Sequence, residues 1–343
     1  MSTGAPGKEK SFNQKVWTAA AIVALFVVLI WILKITFNVL LLLLAGALIA
    51  IYFKGLAGLL EKKLKFPKKL SLPFAIVVSL ALLGLFLWFA GSSIQKQVSE
   101  LSQTLPAAIE TFKQKLNDTT IGKKILEQVT AGGNFQKASG MAQTFFRSTF
   151  GVLGDLYVVL FLGLFFTASP SAYTKGFLKL VPTKAKPEAE NVINKMGLRL
   201  TKWLKGQLFA MLIVASLTIT GLLIMGMPMA FVLGLIAGLL NFIPNFGPLI
   251  ALVPALLIAL MQGQSTALMV AALYISVQVL ESNFITPQIQ QKMISIPPAM
   301  VIIAQLFMGV LTGGWGLVLA MPMLVVIMVL LQELYIRKQE GEA

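Results

Sequence analysis

Neither cysteine nor histidine occurs among the 343 residues. Without cysteine there is no disulfide, no thiolate metal site and no thiol nucleophile. Without histidine the commonest zinc ligand and the usual general base near neutral pH are missing. Acids are scarce too: Asp and Glu total 13 against 28 Lys and Arg, and Asp118 and Asp155 are the two aspartates. Proteolysis inside a membrane needs an aspartate pair, a Ser–His pair or a His-rich zinc site. The last two cannot be built here, and Asp118 lies in a polar, lysine-rich stretch. The chain also has no GxxxxGK[ST] phosphate loop, so ATP is not the expected energy source. Neither enzyme chemistry, nor a cofactor, nor a bound metal is expected.

What is abundant is apolar side chain. Hydrophobic residues make up 57% of the chain, charged ones 12%, and mean hydropathy is +0.85. A water-soluble domain carries about 25% charged residues. A core of this size cannot hide so much apolar surface, so lipid must solvate part of it. The formal charge of +15 does not point to nucleic acid. The lysines flank hydrophobic runs, where the positive-inside rule expects them, and no compact basic domain is left over.

Residues 1–15 form a polar tail with Lys8, Lys10 and Lys15. Apolar runs follow at Val16–Leu33 and Ile35–Phe53, each near the ~20 residues a spanning helix needs. They read as a helical hairpin retained in the membrane: no small-residue cleavage site follows Lys34, and the second run starts at once. Lys54–Lys69 carries six lysines and one acid, Glu61, which marks a cytoplasmic loop and, with a hairpin before it, a cytoplasmic N-terminus. Leu70–Ala90 then leads outwards. Residues 92–147 are polar, yet Val98, Leu101, Leu105, Ile109, Phe112 and Leu116 recur at helical spacing. That pattern suits an extracytoplasmic helical region, lying on its own spans or serving subunit contact or gating. Ser148–Ala168 returns to the cytoplasm. Residues 169–205 are basic, with an apolar stripe of Val192, Met196, Leu200 and Trp203, the pattern of an amphipathic helix on the inner leaflet.

From Gly206 to Leu331 the only charged residues are Glu281 and Lys292. Gln207–Met225 reads as an ordinary span. Pro228–Leu240 is too short to cross, at about 20 Å against a ~30 Å hydrocarbon core. It ends in Asn241-Phe-Ile-Pro-Asn-Phe-Gly-Pro248, where Pro244 and Pro248 lack the amide donor a helix needs. Leu249–Leu260 follows, with Pro254 inside it. After the continuous span Ala267–Leu280, a run from Ile296-Pro-Pro298 stops at Thr312-Gly313-Gly314, and Trp315–Leu331 resumes around Pro322. The order is helix, broken pair, helix, broken pair. Each pair is either two full spans joined by a tight turn or a re-entrant hairpin. Residues 228–260 and 297–331 favour the hairpin, because loose backbone at membrane depth survives only in protein or beside a cavity. Hairpins entering from opposite sides form an inverted repeat, which suits alternating access. Gly234/Gly238 and Gly309/Gly313 are GxxxG pairs that allow close helix approach.

Glu281 lies within apolar sequence, where a charged acid costs roughly 2.5–3.5 kcal/mol on insertion scales, so it is a functional candidate. Gln278 precedes it by one turn, and Asn283 and Thr286 follow. A carboxyl there can carry a proton, and nearby amide oxygens can help hold a sodium ion. The alternative is that Glu281 snorkels to water at the end of its span. Asn241 and Asn245 flank the first break, as solute contacts or as simple turn formers. Gln305 stands alone in an apolar arm. Asp155, near a helix start, reads as structural.

In order, Lys205-Gly-Gln207, Gly226-Met-Pro228, Leu240-Asn-Phe-Ile-Pro-Asn-Phe-Gly-Pro248, Val253-Pro-Ala255, Gln278-Val-Leu-Glu-Ser-Asn283, Pro287 and Ala320-Met-Pro322 resemble the autoinducer-2 exporter family of bacterial transporters. The specific likeness covers about residues 200–325. The resemblance implies a multi-pass protein of the bacterial plasma membrane that exports small solutes. It also implies relatives that exchange sodium or lithium for protons, and a homo-oligomeric ring of five subunits. It gives a candidate-site role to Gln278, Glu281, Asn283, Asn241, Pro244, Gly247 and Pro248. Phe246 and Lys292 depart from the pattern, so a particular substrate is not carried over.

The expected architecture is an all-α polytopic membrane protein of about eight membrane segments, with the transport core at 206–336 and a cytoplasmic tail at 337–343. Expected partners are the lipid bilayer, a small solute and Na+ or H+, and further copies of the chain. The expected function is ion-coupled export by alternating access. A Na+(Li+)/H+ antiporter and a non-transporting scaffold or channel-like oligomer are the competing readings.

Overall fold

The computed structural model describes residues 12–86, 88, 155–287 and 297–336. The amphipathic stretch expected at 92–147, the start of the span at 148–168 and both tails (1–11 and 337–343) lie outside them. Every regular element among the described residues is helical. Among the described residues five helices are long and apolar enough to cross a membrane, or six if one sharply bent pair counts as a single span.

The first helix, α1 (Phe12–Leu64), is one unbroken rod. At ~1.5 Å per residue it measures roughly 80 Å, far more than a hydrocarbon core. The hairpin expected around Lys34 is absent. A lone lysine supplies no helix stop; glycine, proline or asparagine at the junction would have been needed. The cytoplasmic N-terminus argued from that hairpin loses its basis. The first part of α1 is exposed, Trp17, Phe26 and Trp31 included, whereas Leu41, Ala45, Leu48 and Phe53 are buried. A turn at Phe66-Pro67 leads into α2 (Lys68–Phe86). There the buried Ser71 donates to Glu61 at 2.5 Å, giving the loop's acid a partner. Helix α3 (Asp155–Ala168) crosses α1 closely: a Cβ on Gly46 would lie 2.7 Å from that of Leu162, and one on Gly163 would strike Ile49. At Ser169-Pro170 the chain turns by 91° into α4 (Pro170–Lys179).

The spine of the molecule is α5 (Lys186–Ile224), 39 residues long. It starts with Pro187 and Glu188 in its first turn, suited to free amides and to the dipole. It stops in a Schellman turn: Gly226 has φ +66, its amide bonds the Leu223 carbonyl at 3.0 Å, and the Met227 amide bonds that of Leu222 at 2.9 Å. The Gly226-Met-Pro228 signal is therefore a helix terminator. The expected inner-leaflet stripe is corrected here. Val192, Leu200 and Trp203 are buried and Met196 packs beside them, the latter three within a core formed with α1 and the last hairpin. Periodicity shows that a face is apolar, not whether lipid or protein covers it.

Beyond α5 come α6 (Ala230–Leu240), α7 (Phe246–Gln262) and α8 (Gln264–Leu280). Then follow a π-helical turn at Glu281–Ile285, α9 (Pro298–Thr312) and α10 (Gly314–Leu331). Helix α6 runs back along α5, and the first GxxxG pair makes that approach possible: a Cβ on Gly234 would strike Ile219, and one on Gly238 would come 2.6 Å from that of Ala215. The second pair works differently. Gly309 has room around it, while Gly313 (φ +67) makes the turn between α9 and α10. There Gly316 is the residue that must be small, since a Cβ would strike the Met308 carbonyl and the Thr312 hydroxyl.

The apolar interior falls into two parts. One joins α1, α3, the first half of α5, α9 and α10; the other joins the second half of α5 with α6, α7 and α8. Helix α5 belongs to both.

Candidate functional site: a broken helix held by buried amides

Each break forms where the sequence removes a donor or needs a left-handed residue. After Leu240 the α6 ladder shrinks to short-range bonds: Phe242 amide to Leu239 carbonyl at 3.1 Å, and Ile243 amide to Leu240 carbonyl at 2.9 Å. Pro244 has no amide to continue it. Asn245 takes φ +66, and the chain enters α7. Gly247 lies so close to the end of α6 that a Cβ would collide with the Leu240 carbonyl. Only glycine fits there.

Carbonyls released by the break are met by two buried amides from elsewhere. Gln305, in α9 and 0% exposed, donates through Nε2 to the Pro244 carbonyl at 2.6 Å and accepts from Asn245 Nδ2 at 3.2 Å. Gln207, in α5, donates through Nε2 to the Asn241 carbonyl at 2.7 Å. Phe242 stacks edge-on against Trp203 of α5, ring centres 5.5 Å apart. The first break is thus gripped by α5 on one side and by the second hairpin on the other. One polar atom stays unmatched: Asn241 is 1% exposed and its Nδ2 has no partner. A buried amide of that kind costs about 1–3 kcal/mol unless something completes it.

Glu281 forms a second cluster. It is 8% exposed and accepts from Thr286 Oγ1 at 2.6 Å, Gln278 Nε2 at 3.2 Å and Ser282 Oγ at 3.4 Å. The shell is local because the helix widens into a π turn at Glu281, a feature frequent at functional sites. The carboxylate is buried and held by side chains of its own helix. Gly221 of α5 packs on Leu273 of α8, and the turn at Glu281 touches α5. Counting along the antiparallel helices places Glu281 roughly 12 Å from the level of Lys205, the last charged residue of α5. Two turns before it, Tyr274 is buried with an unpartnered hydroxyl. Asn283 is turned away: its Nδ2 bonds the Val279 carbonyl at 2.8 Å and the side chain is exposed.

The second break, at Gly313 and Gly314, meets neither cluster. Beside it the Trp315 indole donates to Asp155 at 2.7 Å, tying the hairpin tip to the start of α3. At the far end of α10, Lys195 and Glu333 pair at 2.6 Å, roughly 27 Å away along the helix. Gln305 lies about 10 Å below the tip by the same count, so the first break meets the middle of the second hairpin. The expected site residues therefore divide. Asn241, Pro244, Asn245, Gly247 and Gln305 come together, with Pro248 in the first turn of α7. Glu281 and Gln278 form their own group, and Asn283, Gly313 and Gly314 join neither. Two contributors were given no site role from sequence. Gln207 was a polar residue in an apolar run, the same signal that marked Gln305, but its place at the start of a span masked it. Tyr274 left no signal, since aromatic residues are ordinary in such helices.

A chain of spanning apolar helices, with an interrupted helix gripped by buried neutral amides and a buried carboxylate in a separate cluster, has the makings of a membrane transporter. The sequence profile of the AI-2E family transporters matches residues 20–336, and the chain belongs to that family. It is 25% identical over 303 residues to YueF of Bacillus subtilis, a presumed transport protein, covering 83% of this chain and 81% of that one. A second presumed Bacillus subtilis transport protein, YrrI, is 26% identical over 280 residues, 77% of this chain and 78% of the relative. The AI-2 transport protein TqsA of Escherichia coli is 30% identical over a shorter stretch of 105 residues, 30% of each chain.

Proposed function

We propose that this protein is a secondary transporter of the bacterial plasma membrane, exporting a small neutral or polar solute of the autoinducer-2 kind by ion-coupled alternating access. The observation that carries the reading is the junction between the two hairpins: buried Gln305 completes the backbone of a break some 60 residues away in sequence. Such a junction offers amide donors and acceptors inside an apolar body, with Asn241 Nδ2 left for a guest. In this reading the hairpins are re-entrant, the lysine-rich turn after α1 faces the cytoplasm, and Glu281 carries the coupling ion. The export direction and the substrate type rest on the family resemblance and on the name of one relative. So does assembly into a homo-oligomer of five, for which the exposed apolar first part of α1 supplies surface.

A second reading, Na+(Li+)/H+ antiport, is favoured by the Glu281 shell, where carboxylate, amide and two hydroxyls gather between Gln278 and Thr286. Both readings are tested by replacing Glu281 with Gln in proteoliposomes with an imposed proton gradient. Loss of proton-linked sodium flux with solute flux intact supports the antiporter. Loss of gradient-driven solute accumulation, with downhill solute flux retained, supports coupled export. Unchanged flux of everything sinks both, and no substrate-dependent flux in the unmodified protein leaves the scaffold reading.

A further inference from the structure

We propose that α4 is an interfacial helix that seats on anionic phospholipid at the cytoplasmic face of the membrane. Three observations meet there. The chain turns by 91° between α3 and α4, so if α3 runs across the bilayer, α4 lies in its plane. The bend is fixed locally by Pro170 at the helix start and by the Tyr173 ring set edge-on against Phe166 of α3, centres 4.8 Å apart.

The exposed side chains are of the kind a lipid interface takes up. No residue of α4 is buried. Tyr173, Phe177 at 57% exposure and, just past the helix, Leu180 at 84% follow at steps of four and three, which puts them on one face. Thr174 and Leu178, half-buried, form the flank turned to the protein. Lys175 and Lys179 project from the side opposite the aromatic face. An apolar face with lysines opposite it is the arrangement that lies at the boundary of headgroup and acyl chain.

Charge selects the lipid. Between Asp155 and Glu188 the sequence holds no acid, while Lys175, Lys179, Lys184 and Lys186 follow one another. Lysines near a bilayer surface are attracted to anionic lipid, and their contributions accumulate. The occupant of this face is therefore anionic phospholipid and not the protein core that claims the stripe from Val192 to Trp203.

The absence of cysteine makes the test direct, because Phe177→Cys and Lys175→Cys each introduce one labelling site. The full-length protein is labelled with bimane and reconstituted in phosphatidylcholine vesicles containing a fixed minority of brominated phosphatidylglycerol or brominated phosphatidylcholine. A label at position 177 should be quenched by brominated lipid and shielded from aqueous iodide, with the reverse at position 175. Brominated phosphatidylglycerol should quench position 177 at least about twofold more than the choline lipid. Neutralising Lys179, Lys184 and Lys186 to Gln should abolish that preference without changing the shielding. Quenching at 177 by iodide and by neither lipid would place α4 in water, and quenching by none of the three would place it on protein; either result overturns the proposal. Equal quenching by both lipids, or a preference that free phosphate removes, would overturn its anionic-lipid half.

Discussion

Gln305 and Gly247 hold the first break by opposite means, one by supplying a partner and the other by supplying nothing. Gln305→Leu keeps the volume but strands the Pro244 carbonyl and the Asn245 amide in the interior. The expected cost is about 1–3 kcal/mol, read as a lower Tm in detergent, with solute flux falling further than stability alone explains. Gly247→Ala drives a methyl into the Leu240 carbonyl, and backbone cannot yield as a side-chain end does. Its expected cost is about 1–3 kcal/mol, whereas Gly309→Ala, mid-helix and with no clash in its way, should not lower Tm. A Gly247→Ala protein as stable as the parent would mean the break is looser than its geometry. The two residues also differ in how far sequence reveals them. A glycine between two prolines announces a turn by local chemistry. The Gln305 partner, some 60 residues away, has no local signature, because pairing between elements leaves no trace in the periodicity of either.

At the scale of the element, α10 is fastened at both ends. Trp315 bonds a carboxylate at 2.7 Å near the hairpin tip, and Lys195 bonds one at 2.6 Å at the other end, where its side chain is 37% exposed. The two contacts are both partly buried, but only the Lys195–Glu333 pair is charged on both sides and so is screened by salt. Trp315→Phe and Lys195→Gln should therefore both lower Tm, and only the second effect should shrink in high salt. Equal salt dependence of the two would contradict the difference drawn between the two ends. The two central breaks were legible, since Pro244 and Gly313 mark places where an amide is missing or φ is positive, whereas the stops at Gly226 and Gly263 were seen only in the structure. Continuity was harder to read. Lys34 interrupts hydropathy without interrupting hydrogen bonds, so two apolar runs looked like two helices and fold as one.

Taken whole, the molecule has two apolar interiors sharing α5, and the first break is where they touch a second time, through Phe242 on Trp203 and Asn245 on Gln305. If the bodies move against one another to alternate access, that contact must change while α5, continuous through both, bends or tilts. A chain without cysteine allows the motion to be arrested at will. Asn245→Cys combined with Gln305→Cys, bridged by a short thiol cross-linker in proteoliposomes, should stop the solute flux that remains in the unbridged double variant, and a reductant acting on a cleavable linker should restore that level. Each single cysteine, treated alike, controls for modification of the site without restraint. Flux that persists through complete cross-linking would show the two interiors moving as one. The moving part would then have to be sought elsewhere, with α8 and Glu281 the next place to look, since their polar shell is local and asks nothing of the second hairpin.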